Sequence, residues 1–127
     1  MSTESKLKSF QNLLVVAAAD DSLDAEEKEV LIEIGTDMGL TPAELKPIIS
    51  AENLEFVLHD NYEENEADLG DMLTIAAADG VVYDSEFAIC ENFAKAAGIS
   101  ESKLKELLEL ALTYADEWEE DDEDEAA

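Results

Sequence analysis

The chain has 127 residues, of which 34 are Asp or Glu and 7 are Lys, with no Arg, giving a formal net charge of −27. This length suits one domain with one modest core. A charge of this sign and size disfavours nucleic acid and anionic membrane as direct partners and attracts cations and basic proteins. Apolar residues make up 46 % of the chain, which fits a globular protein, and the dominance of Ala, Leu and Glu favours helix.

Taken in order, Leu7, Phe10, Leu14 and Ala17 form an apolar helical stripe, widened by Leu13, which predicts a first helix from about Glu4 to about Asp20. Asp21 and Ser22 make a turn. A second helix should carry Val30, Leu31, Ile34 and Met38 on one face and stop at Gly39, a residue suited to a left-handed C-cap. Thr41-Pro42-Ala43-Glu44 reads as a capping box with Pro at the first helical position. It opens a third helix, disturbed near Pro47. The run Ala51 to Leu58 reads as a short linking helix with apolar Leu54, Val57 and Leu58, and His59, the sole His, as a helix-end residue.

An acidic loop then leads to a helix through Leu69, Met72, Leu73 and Ala76 to Asp79, with a turn at Gly80. A helix over 84–97 should face Ile89, Cys90 and Phe93 inward and close at Gly98, and Ser100 should cap a last helix carrying Leu104, Leu107, Leu108, Ala111 and Leu112. Nine acids crowd the span 116–125, which is expected to fray into solvent. Trp118 within it reads either as an anchor for the last helical turn or as a docking residue for a basic partner. No segment alternates with period two over the length of a strand. The expected fold is therefore all-α, a single-domain bundle of about seven helices over 1–115, followed by an acidic tail over 116–127.

The chain repeats itself. Leu14, Ala17, Ala18, Ala19 and Asp20 recur 59 residues later as Leu73, Ala76, Ala77, Ala78 and Asp79. The same interval relates Glu27 to Glu86, Gly39 to Gly98, Leu45 to Leu104 and Lys46 to Lys105. Two copies of one helix-turn-helix unit are expected, over about 7–49 and 66–108. Cys90 is the only cysteine, so no intrachain disulfide can form, and its counterpart Leu31 marks it as a core thiol. The first apolar run, Leu13 to Ala19, is too short to span a bilayer, and no secretory signal is seen, so a cytoplasmic protein without direct membrane insertion is expected.

The repeated acids are the candidate site. Glu27 and Glu86 stand at the head of the apolar stripes of their helices, ahead of Val30, Leu31 and Ile34 and of Ile89, Cys90 and Phe93. Asp20 and Asp79 lie three residues after Ala17 and Ala76 and seven after Leu13 and Met72, so each copy is expected to aim one Asp and one Glu inward. Inward carboxylates need compensation. Backbone N–H groups at the next helix start could supply it, or each Asp/Glu pair could hold a hard divalent cation, with Ca2+ or Mg2+ favoured. An EF-hand is excluded, because Ala25 replaces its Gly and Leu31 its terminal Glu, and the second copy fails likewise. One His and no Gly-rich phosphate loop give no support to a Ser-His-Asp triad or a nucleotide site, so the chain reads as non-enzymatic. The acid excess itself could serve solvation in a salty cell, or docking of a basic or membrane-associated protein partner.

Ala77-Ala78-Asp79-Gly80-Val81-Val82, with Glu86 and the helix stop Gly98-Ile99, resembles the TerB-like tellurite-resistance family. The first copy resembles it too, with Asp21 in place of the turn Gly. The resemblance covers about residues 7–112. It implies a seven-helix bundle from a duplicated unit, an acidic site suspected of divalent metal binding on Asp20, Glu27, Asp79 and Glu86, and a role in tellurite and general stress resistance. Related domains occur in membrane-anchored DnaJ-type co-chaperones.

Overall fold

A computed structural model describes residues 2–19, 25–51, 54–78 and 82–126, with the backbone only at 26, 27 and 114–126. Among the described residues six α-helices follow one another: α1 (Thr3–Ala17), α2 (Ala25–Asp37), α3 (Pro42–Ser50), α4 (Tyr62–Ala76), α5 (Asp84–Ala97) and α6 (Glu101–Ala126). There is no strand among the described residues.

The helix starts are set by local chemistry. Ser2 caps α1 by accepting the Ser5 N–H at 3.1 Å. Thr41 and Glu44 form the full capping box expected of α3: Oγ1 of Thr41 accepts from Glu44 N–H, and the Glu44 carboxylate accepts from Thr41 N–H. Asn61 caps α4, and Ser100 accepts the Lys103 N–H at the head of α6. Gly39 and Gly98 lie in the left-handed region, at φ 96° and 76°. At each stop, the N–H of the following residue (Leu40 or Ile99) reaches back to the carbonyl of Gly35 or Ala94. α3 continues through Pro47 to Ser50.

The helix count differs from the sequence reading. Ala51 and residues 54–58 form no helix; they are an extended strap from α3 towards α4. The backbone of Val57 bonds to the Asn12 side chain instead of to a helical neighbour, and Phe56 turns inward to meet Phe93 edge-on at 5.3 Å. His59 consequently lies in the strap rather than at a helix end. α1 and α4 also stop short of the expected limits, at Ala17 and Ala76. α6 does not end near Tyr114 but runs as one 26-residue helix to Ala126, about 39 Å long. Glu, a good helix former, is the commonest residue of its last part.

α4 is the centre of the bundle and packs against α1, α5 and α6. The larger core joins Leu69, Met72 and Leu73 of α4 to Cys90 and Phe93 of α5, with Leu13 and Val16 of α1. The smaller core gathers Phe10, Leu14, Leu31, Leu40 and Leu45. Val30 is 55 % exposed, contrary to its expected inward placement. Leu31, Ile34 and Met38 already fill the inner stripe of α2, and Val30 lies one residue out of that phase.

Three helix starts, at Thr3, Ala25 and Pro42, recur at Tyr62, Asp84 and Glu101, an interval of 59 in each case. Every member of the smaller core has a buried counterpart at that interval: Leu69, Leu73, Cys90, Ile99 and Leu104.

Helices α2 and α3 meet closely at Gly35, where an added Cβ would lie 2.6 Å from Cδ2 of the fully buried Leu45. Overpacking of this kind costs about 1–3 kcal/mol, against about 1 kcal/mol gained in helix propensity. Gly35→Ala is expected to destabilise the fold by up to about 2 kcal/mol in urea unfolding, and a stabilised variant would contradict the close approach.

Candidate functional site

Of the four acids singled out by the repeat, Asp20 and Asp79 lie outside the described residues. Glu27 sits in α2, but its side chain is not described; nor is that of Trp118. Because α1 ends at Ala17 and α4 at Ala76, helical phase does not extend to Asp20 or Asp79, and their inward placement does not follow from it. Glu86 is described. It occupies the third position of α5, half-buried, and its carboxylate accepts the Tyr83 N–H at 3.2 Å. Burial first, and the Glu86 charge second, push the Cys90 thiol up to about 12. The Glu86 carboxylate therefore acts electrostatically on the buried side of α5. Cys90 itself stays a protonated core thiol at neutral pH, the state opposite to that of a nucleophile. Among the described residues no group of three or more His, Cys, Asp and Glu side chains is arranged to hold a metal ion.

The most constrained polar site lies elsewhere, where α1, the strap and α4 meet. Asp68 of α4 is buried and accepts three hydrogen bonds from three side chains. Ser9 Oγ donates to Oδ1 at 2.6 Å, and Asn12 Nδ2 donates to Oδ2 at 2.8 Å. His59 Nε2 stands 2.7 Å from Oδ2. The other ring nitrogen, Nδ1, faces Glu64 Oε2 at 3.1 Å. Both nitrogens thus face carboxylate oxygens. Asn12 is used completely: its amide also donates to Val57 O at 2.9 Å, and its oxygen accepts from Val57 N at 2.8 Å. Asn65 does the same for His59, accepting its backbone N–H and donating to its carbonyl. No buried side-chain polar atom among the described residues lacks a partner.

The sequence reading found no support for a Ser-His-Asp group, yet Ser9, His59 and Asp68 meet here. A catalytic relay needs the imidazole to bridge nucleophile and acid through its two different nitrogens, with the nitrogen at the serine free to take a proton. Here one nitrogen faces both Ser9 and Asp68, and the serine proton goes to Asp68. Ser9 is 6 % exposed and the His59 side chain 1 %. The arrangement fastens three segments together. Its signal in the sequence was polar residues on the apolar helical phase: Ser9 four before Leu13, Asn12 four before Val16, and Asp68 four before Met72.

Asp71, on the next part of α4, is in a different situation. It is exposed, but it lines a groove otherwise formed by Leu13, Ile34, Met38, Thr74 and Ile75. Partial burial first, and the Asp68 charge second, raise its carboxyl above the ordinary aspartate value.

Comparison with known proteins gives no match to a protein-family model, to a curated protein or to a solved structure. Among the described residues no helix is long and apolar enough to cross a membrane.

Asn12→Ala would strip Val57 of both backbone partners and Asp68 of one donor. A loss of about 2–4 kcal/mol is expected, with faster amide exchange at Val57 and His59 than at the α5 core; unchanged exchange in the strap would refute the clamp. Asp71 gives the opposite sign. Its folded pKa is raised, so its favourable contribution is complete below the unfolded value and is lost as pH rises through the folded one. Asp71→Asn should therefore stabilise the protein at pH 7, and the gain should vanish on acidification through the carboxylate range, as read by thermal melts.

Proposed function

We propose that this chain is a non-enzymatic, acidic stress-response protein of the TerB-like tellurite-resistance type, built from two copies of one helical unit. In this reading it takes up a divalent cation, Ca2+ or Mg2+, at Asp79 and Glu86, with Asp20 and Glu27 as the weaker second pair. The two-copy reading is supported by helix starts and buried residues that recur at an interval of 59. The observation that carries the cation reading is Glu86: a half-buried carboxylate at the head of α5 whose charge reaches the buried Cys90 thiol. Carboxylate oxygens of an Asp/Glu pair suit a hard cation. Ser9, held by Asp68, and Cys90, held protonated, favour a non-catalytic role.

A second reading is favoured by α6. The chain passes residue 115 without a helical break, so the nine acids of 116–125 belong to one continuous helix. Such an arm suits an adaptor that docks a basic or membrane-associated partner without metal.

Calorimetric titration with Ca2+, Mg2+, Mn2+ and Zn2+ separates the two. The cation reading expects saturable binding that weakens at least tenfold in Asp79→Asn/Glu86→Gln and persists in a chain ending at Ala115. Binding indifferent to the double substitution would sink it, and binding lost only with the tail would assign the ions to tail electrostatics.

A further inference from the structure

Asn12 and Asp71 stand 59 residues apart in the recurring sequence, yet their surroundings are opposite. On the Asn12 side the strap lies across α1, with Val57 clamped by Asn12 and Phe56 against Phe93. Asn12, Val16 and Phe93 are all 0 % exposed. Their counterparts at the same interval are Asp71, Ile75 and Ile34. Asp71 is exposed, and Ile34 and Ile75 are only half-buried. These three, with Leu13, Met38 and Thr74, line a groove of about 270 Å3 between α1, α2 and α4. Asp71 makes no hydrogen bond or ion pair among the described residues.

The groove therefore carries counterparts of Asn12 and Phe93, two of the residues that hold the strap on the other side. We propose that it docks an extended segment of a basic partner protein as the strap docks on α1, with an aromatic side chain over Ile34 and backbone N–H or lysine donors on Asp71. The aromatic follows from Phe56, which fills the corresponding position over Phe93. The basic character follows from two observations. Asn12 serves both an N–H and a C=O of the strap, whereas an ionised carboxylate only accepts, so the occupant must bring donors. A net charge of −27 also draws cationic segments towards this surface. Burial and the Asp68 charge already disfavour the Asp71 anion, and a docked cationic donor offsets both. Extended-segment docking of this kind draws affinity from main-chain bonds and specificity from the pocket for the side chain.

The inference rests on the two-copy part of the proposed function and not on cation binding, so the test is run in EDTA. The full 15N-labelled chain is titrated with the acetylated, amidated peptide Lys-Leu-Lys-Phe-Val-Leu-Lys, and with the same peptide carrying Ser in place of Phe. Saturable amide shifts centred on Leu13, Ile34, Asp71 and Ile75 are expected. The Ser peptide should bind at least tenfold more weakly, as should the Phe peptide to Ile34→Glu. Asp71→Ala, which removes the acceptor at an exposed position, should also weaken the Phe peptide. The absence of shifts, equal shifts with both peptides spread over the acidic surface, or affinity unchanged in Asp71→Ala and Ile34→Glu would overturn the proposal. So would shifts centred on Asn12 and Phe93, which would mean that the peptide displaces the strap from its own seat. A failed cation titration would leave this result untouched.

Discussion

A carboxylate buried at Asp68 must be surrounded by donors, and much of the architecture follows from where those donors come from. Ser9 and Asn12 reach it from α1, and His59 reaches it from the strap. Leaving such an anion without its donors would cost several kcal/mol. The strap is drawn in with them, because Asn12 spends its remaining capacity on the backbone of Val57 and Asn65 spends its own on the backbone of His59. Side-chain amides here replace the hydrogen bonds that a helix would have supplied to this segment. The polar group thus fixes both the packing of α1 against α4 and the path between α3 and α4.

Positions at the interval of 59 have unlike surroundings. Ser9 and Asp68 are themselves 59 residues apart, so the shortest bond of the network, between α1 and α4, falls at that interval. One side of this contact is closed by the strap and the other is open at Asp71. Charge follows the same division. The closed side pairs its carboxylates with His59, Asn12 and Ser9, while the open side leaves a carboxyl raised by burial and by its neighbour's charge.

Much of this was legible in the sequence where the signal was local. The capping box at Thr41 and Glu44, the left-handed stops at Gly39 and Gly98, and the Ser100 cap depend on residues within one turn of each other, and they stand as read. Cys90 was placed in the core by its counterpart Leu31, and it is buried. The strap was misread as a helix because its apolar spacing fits one; what overrides that spacing is the Asn12 amide, 45 residues away. His59 was misplaced for the same reason. Val30 was assigned inward because adjacent apolar residues leave helical phase ambiguous by one position. Of the acidic site itself, only Glu86 has a described side chain, and the phase argument for its Asp partner stops where α4 stops.

The network around Asp68 also has a temporal meaning. Three of its bonds close chain separations of 50, 56 and 59 residues, whereas the caps and the helix stops close three to five. Loops of that size must be ordered before the contacts that compensate them exist. As the chain emerges during synthesis, α1 and α3 can form their caps at once, but the Asp68 carboxylate that Ser9 and Asn12 share is absent until α4 has been made. The amino-terminal half therefore waits for residues made after it to complete this network.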